Sequence, residues 1–188
     1  MSRRDSGDRW KILASEYVIQ TPYLRLRRDA VELPNGERIA DYYVRESRGF
    51  AAIFALTPAA RVVLVRQYKH GIGQGVLELP AGAIDEHELP AACARRELAE
   101  ETGYIGDPPE PEFVAEFITD PTHSTGRCYL YLVRNARPAL PQNLDATEAI
   151  SVETASLADL RRYVRDGTID VNSHVAAIYF MLDRLEQL

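Results

Sequence analysis

Apolar residues in this chain alternate with polar ones over short stretches more often than they recur every three or four positions, so strands dominate the expected structure. The first short strand is expected over 16–20. The second covers 24–33, where Leu24, Leu26 and Val31 punctuate charged residues. Pro34-Asn35-Gly36 then supplies a strong turn, and 38–44 returns as the partner strand, giving an antiparallel meander. Two more continuous apolar runs, 50–56 and 61–67, are separated by Thr57-Pro58-Ala59-Ala60 and read as a second hairpin. A glycine-rich loop over 71–75 precedes a short extended stretch, 76–79, closed by Pro80. Further strands are expected over 113–118 and 127–133, flanking the loop 119–126, and over 148–152. Helical spacing appears over 90–102, 157–166 and 174–188. Pro90 opens the first of these helices and Gly103 stands where a C-terminal cap belongs. Helices interspersed irregularly among strands imply an α+β fold with mixed sheets.

The remaining composition changes this picture in three places. Residues 1–10 are polar and read as a mobile arm, with no apolar run behind them, so neither a signal peptide nor a membrane span is expected. Cys93 and Cys128 are the only cysteines, too few for a disulfide framework, and a reducing cytoplasm fits them best. The net charge of -6 argues against a general nucleic-acid binder, which carries a basic face. It leaves phosphorylated small molecules open, because a divalent cation reverses the local sign of an acidic site.

The candidate chemistry lies on the helix 90–102. With Glu97 at zero on a wheel of about 100° per residue, Glu100 falls at about 300° and Glu101 at about 40°. Three carboxylates therefore crowd one arc, beside an apolar strip of Ala91, Ala94 and Leu98 that can pack on a sheet. Like charges at these spacings repel, and Arg96 alone cannot neutralise three of them. A hard divalent cation can, and an all-oxygen donor set suits Mg²⁺ or Mn²⁺ far better than zinc. A bare Glu-x-x-Glu-Glu pattern also occurs on solvated surface helices. Here, however, Glu78-Leu-Pro-Ala-Gly82 places a bend with accessible backbone carbonyls upstream, and Glu88 lies just before the helix.

Gly82, Glu88, Arg96, Glu97, Leu98, Glu100, Glu101 and Gly103 match the Nudix box, G-x5-E-x7-R-E-U-x-E-E-x-G-U, with Tyr104 replacing the final aliphatic residue. The chain thus resembles the Nudix hydrolases. Arg66-Gln67-Tyr68, Glu78-Leu-Pro-Ala-Gly82 and Pro121 in a loop after the box make it similar to the ADP-ribose pyrophosphatase-like branch. That resemblance implies a mixed sheet sandwiched between helices over 48–188, preceded by the meander over 1–47. It also implies hydrolysis of the diphosphate bond of a nucleoside diphosphate sugar to a nucleoside monophosphate and a sugar phosphate. Glu97, Glu100, Glu101 and the carbonyl of Ala81 would ligate Mg²⁺, with Mn²⁺ substituting. Arg96 would hold the carboxylates, Glu88 would support the loop, and Gly82 and Gly103 would permit the turns.

On the same resemblance the meander pairs two subunits into a homodimer, and a glutamate just before a late strand acts as general base, which nominates Glu148. Glu100 or Glu101 are the alternatives within the box. Arg66, Glu78, Gly82 and Pro121 are the candidates for binding the substrate, Arg66 by its planar donor fork. The 71–75 loop could cradle phosphate through its backbone N–H groups, but it lacks the lysine and hydroxyl of a P-loop and reads first as a flexible hairpin. Cys93 lies near the acidic arc but reads as a small packing residue. The loop Asp120–Arg127 departs from the branch: His123 and Ser124 stand where a glycine-containing turn is usual, and Arg127 near the acidic place. His123 is either a substrate contact or an ordinary surface-loop histidine. The departure leaves other substrates open, among them GDP-mannose, a dinucleotide or a coenzyme, as well as a nucleotide-sensing domain without turnover.

Overall fold

A computed structural model describes residues 9–187, so most of the expected polar arm, residues 1–8, lies outside the described residues. The chain divides into two compact units. The first comprises the residues up to Arg48 together with Ile118–Gly126, and the second comprises Gly49–Phe117 and Arg127 onward.

The first unit is the meander: β1 (Lys11–Gln20), β2 (Arg25–Glu32) and β3 (Arg38–Glu46), antiparallel in that order. The β2–β3 turn forms at the Pro-Asn-Gly signal, with Gly36 N–H donating to the Leu33 carbonyl at 2.9 Å. Charged positions inside the strands are cross-linked rather than left to solvent. The Arg27 guanidinium bonds Asp29 at 3.0 Å and Glu46 at 2.7 Å, and Ser15 donates to the buried Asp29 at 2.6 Å. β1 starts five residues earlier than its apolar run suggested, because hydrogen bonding to β2 recruits the preceding residues. Segment 118–126 joins this unit through backbone bonds between Arg45 and both His123 and Thr125.

The second unit carries β4 (Phe50–Ala55), β5 (Arg61–Lys69), β6 (Gln74–Glu78), β7 (Ala81–Ala83), α1 (Pro90–Thr102), β8 (Tyr104–Ile105), β9 (Glu112–Ile118), β10 (Arg127–Val133), β11 (Arg137–Pro138), β12 (Ile150–Ser156), α2 (Leu157–Asp166) and α3 (Asn172–Glu186). One sheet has the order β7-β4-β10-β9, with β4 and β10 parallel, and a second has the order β12-β5-β6. The expected hairpin between β4 and β5 does not form. Apart from one bridge at Leu56 and Val62, the two strands part into different sheets. Both are buried on both faces, so each takes an interior position with a neighbour on either side. The hairpin forms instead between β5 and β6, across a loop shorter than the glycine-rich stretch, whose last residue, Gly75, lies in β6.

Period-two alternation splits the core into two layers. Phe54, Leu64, Leu130 and Leu132 face Leu160, Ile178 and Met181 of α2 and α3. Ile53, Val63, Tyr131 and Val133 face Cys93, Ala94 and Leu98 of α1. Strands thus lie between helices, as the α+β reading implied. Among the described residues no helix is long and apolar enough to cross a membrane.

Candidate active site

α1 ends on Gly103 at φ 71°, whose N–H closes on the Ala99 carbonyl at 2.8 Å; a side chain would be strained there. Cys93, Ala94 and Leu98 are buried and hold the helix on the sheet. No acidic residue occupies its first turn and no basic residue its last, so the carboxylates concentrate toward the C-terminal end. The helix dipole disfavours negative charge at that end. Helix stability therefore gives no reason for them.

Arg96 is the local counterweight. Its Nε and one terminal nitrogen fork onto the two oxygens of Glu88 at 2.9 and 2.8 Å. Its other terminal nitrogen reaches Glu97 at 2.6 Å and Glu100 at 3.1 Å. The Glu88 carboxylate is accordingly held at about 2, chiefly by the Arg96 bonds, and the guanidinium is raised above its ordinary value.

Glu97 and Glu101 stand on the buried side of this network. Burial pushes the Glu97 carboxyl up, with Glu100 and Glu148 adding repulsion against the opposing pull of Arg96. Glu101 is 3% exposed and accepts the Ala81 N–H at 2.9 Å; burial, then the charges of Glu97 and Glu78, raise it to about 8. The Ala81 amide thus turns toward α1 at the open edge of β7, and in an extended residue the carbonyl turns the same way. A Cβ on Gly82 would lie 1.9 Å from Glu97 Cδ, so only glycine admits the carboxylate there.

Beside these acids lies a cluster that spacing alone did not suggest. Glu78 is 2% exposed. One of its oxygens accepts Gln67 Nε2 and Lys69 Nζ, each at 2.8 Å, and the other lies 3.2 Å from His174 Nε2. Gln67 and Lys69 alternate with Arg66 along β5, so Arg66 emerges on the opposite face, where it pairs with Glu153 at 2.7 Å. Glu148 is exposed in the turn before β12 and accepts the Asp145 N–H at 3.0 Å. Cys93 is buried with its thiol raised to about 12 by burial, which makes it a packing residue. Pro121 belongs to the first unit, as does His123, whose Nδ1 lies 3.0 Å from the Tyr43 carbonyl. Arg127, in the second unit, pairs with Glu116.

The second unit thus joins Ala81, Gly82, Arg96, Glu97, Glu100 and Glu101 into one site. Among the described residues no three acids, imidazoles or thiols already converge as a metal cage; Arg96 and the Ala81 amide hold the carboxylates instead. The donor chemistry still fits a hard cation. All donors are oxygens, two of the carboxyls resist ionisation, chiefly because they are buried and then because other glutamates lie close, and one arginine serves three glutamates.

Fold and site define a class: hydrolases built around a carboxylate-bearing helix clamped by an arginine. Residues 46–172 match the NUDIX domain, and the chain belongs to that family. Residues 10–44 match the nucleoside diphosphate sugar hydrolase N-terminal domain. A methanol dehydrogenase activator from Bacillus methanolicus is 28% identical over 91% of each chain. An ADP-ribose pyrophosphatase from Bacillus subtilis is 27% identical over 92% of each. The crystal structure of an ADP compounds hydrolase superposes with a TM-score of 0.82 at 20% identity, covering 97% of each chain, and shares the fold. With every glutamate of the box present, the chain is an enzyme of Nudix-type diphosphate hydrolysis acting on a nucleotide-derived substrate.

Proposed function

We propose that the protein hydrolyses the diphosphate bond of a nucleoside diphosphate sugar of the ADP-ribose type, giving a nucleoside monophosphate and a sugar phosphate. The observation that carries the choice of substrate is the match of residues 10–44 to the nucleoside diphosphate sugar hydrolase N-terminal domain, since the catalytic fold alone leaves the substrate open. The Bacillus subtilis relative, named for ADP-ribose and similar along nearly its full length, supports the same reading.

Glu97, Glu100, Glu101 and the Ala81 carbonyl would hold Mg²⁺ or Mn²⁺. Bound there, the cation supplies charge neutralisation at the phosphates and a more acidic water. Arg96 keeps Glu97 and Glu100 oriented, and Glu88 in turn fixes Arg96. Glu148 takes the proton from the attacking water. Glu78 serves binding, and Gly82 keeps Glu97 in place; Arg66, paired with Glu153 on the opposite face of β5, drops out of this site. The meander pairs two copies of the chain: β1 is exposed along its whole length and presents Trp10, Ile12, Leu13, Tyr17 and Val18 among its apolar exposed residues and those just before it. Both cysteines are free, which supports a reducing, cytoplasmic setting.

The relative named as a dehydrogenase activator favours one second reading, the same cleavage applied to a dinucleotide or coenzyme in the service of another enzyme. A hydrolysis screen with Mg²⁺ or Mn²⁺ over ADP-ribose, GDP-mannose, a dinucleotide and a nicotinamide coenzyme separates the two. The first reading expects ADP-ribose to give AMP and ribose 5-phosphate at the highest kcat/KM. Preference for the coenzyme by a factor of ten would replace it.

A further inference from the structure

α1 ends after Thr102, so the carbonyls of its last turn have no amide donor within the helix and need one from elsewhere. The segment after β11 supplies it. The Ala139 and Leu140 N–H groups donate to the Gly103 carbonyl at 2.9 and 3.0 Å, and Asn143 N–H donates to the Glu100 carbonyl at 2.9 Å. The approach is close: a Cβ on Gly103 would lie 2.1 Å from the Leu140 carbonyl oxygen. The Glu101 carbonyl is met differently, by a side chain. Gln142 Nε2 donates to it at 2.6 Å and to the Ile150 carbonyl at 3.2 Å.

Both acceptors are carbonyl oxygens, so the amide nitrogen is the end that faces them, and its two hydrogens serve one each. Glu101 belongs to the carboxylate arc. Ile150 opens β12, where it is buried and registered against Gln67 of β5. Between Gln142 and Ile150 runs the short loop that carries Glu148. Asn143 ties the first residue of that loop to Glu100, and Glu148 closes back on Asp145 in both directions. Its N–H donates to the Asp145 carbonyl at 2.9 Å, and its carboxylate accepts the Asp145 N–H at 3.0 Å. Apart from Leu144 the loop is exposed, so it buries little that could hold its shape against chain entropy. The charge of Glu148 nonetheless reaches Glu97. The ties at the base of the loop are what keep it there.

We infer that Gln142 is a positioning residue: its side-chain amide, by joining the end of the carboxylate helix to the start of β12, sets where Glu148 stands against that helix. The consequence for turnover rests on the reading of Glu148 as the group that takes the proton from the attacking water. Such a base must lie within hydrogen-bond reach of the water, and a misplacement of about 1 Å lowers the rate on the order of 100-fold. The Gln142 amide is engaged on two main-chain carbonyls, so its loss should appear in kcat rather than in KM.

The test uses Gln142→Met, which keeps the length of the side chain and removes both donors. With ADP-ribose and Mg²⁺, kcat is expected to fall by at least about 10-fold while KM moves by less than about 3-fold. Added to Glu148→Gln, the same substitution should lower kcat by less than about 2-fold, because the group it positions is already gone. An equal loss in both backgrounds would show that Gln142 acts through Glu101 or through stability alone and would overturn the inference, as would a wild-type kcat in Gln142→Met. Amide hydrogen exchange needs no turnover. In Gln142→Met the Asn143 and Glu148 N–H groups should speed up by at least about 10-fold more than the core amides of Leu130 and Ala177. A rise at 143 and 148 no larger than that of the core overturns the inference. Should Glu148→Gln alone leave kcat at the wild-type value while Gln142→Met frees those two amides, the reading of Glu148 as the base falls and the positioning of its loop by Gln142 stands.

Discussion

The Glu97 carboxylate occupies the space that a side chain on Gly82 would need: a Cβ built there lies 2.0 and 2.3 Å from the two carboxylate oxygens. The bend before the box and the helix within it are thereby locked to one another. Gly82→Ala should displace the carboxylate rather than the backbone, because the obstruction is the far end of a flexible side chain. Turnover is expected to fall on the order of 100-fold, as for a catalytic group moved by about 1 Å, while the thermal midpoint changes little. Steady-state kinetics beside a melting curve check this. A loss of stability matching the loss of activity would place the role of Gly82 in folding instead.

Arg96 and Glu88 give a prediction in pH. The Glu88 carboxyl, held at about 2 against an ordinary 4.5, is a depressed group: its stabilisation is present above about 4.5 and is lost as pH falls from there toward 2. With its side chain 14% exposed, the pair contributes on the order of 2–3 kcal/mol. Glu88→Gln should therefore be less stable than wild type at neutral pH and converge on it by pH 2, as followed by urea unfolding. Arg96→Lys keeps the charge but loses the fork onto both oxygens, so it should lower the midpoint by several degrees at pH 7. A lysine variant as stable as wild type would show that charge alone suffices.

The carboxylate helix was legible because its information is local. The arc of Glu97, Glu100 and Glu101, the apolar strip of Ala94 and Leu98, and the Pro90 and Gly103 ends all lie within 14 residues of chain. The meander was legible through its Pro-Asn-Gly turn. The partition of β4 and β5 was not, since two apolar runs with a short polar connector look alike whether they pair together or each find other partners. β8 and β11, two residues each, are too short to show a period. The Glu78 cluster escaped for a different reason: its members come from β5, β6 and α3, and only the fold brings His174 to Glu78. Alternation along β5 offered one usable signal, in that Lys69 falls on the same face as Gln67 and on the opposite face from Arg66.

Glu148 stands where its charge reaches Glu97, and its carboxylate caps its own turn by accepting the Asp145 N–H. A glutamine amide oxygen can keep that bond, so Glu148→Gln should leave the turn intact while removing the proton acceptor. The proposed base role predicts that turnover drops by at least about 100-fold while KM changes little. A change confined to KM would make Glu148 a binding residue and move the base elsewhere.

Glu101 supplies the opposite sign. Its carboxyl is raised to about 8, so the folded state holds a proton that the unfolded chain has released above about 4.5. Stability from this group is complete below about 4.5 and drains away as pH rises toward 8, where the buried side chain must ionise beside Glu97 and Glu78. Glu101→Gln has no such charge and can still accept the Ala81 N–H through its amide oxygen. The variant should match wild type at pH 4 and exceed it at pH 8, by an amount on the order of a few kcal/mol, in urea unfolding without divalent cations. Adding Mg²⁺ or Mn²⁺ should narrow the gap at pH 8 by stabilising wild type alone, because the cation supplies the positive charge that three carboxylates lack. A variant less stable than wild type at pH 8 would show that the Glu101 carboxylate is ionised and well compensated inside the fold, and a gap indifferent to the cation would separate this residue from metal binding.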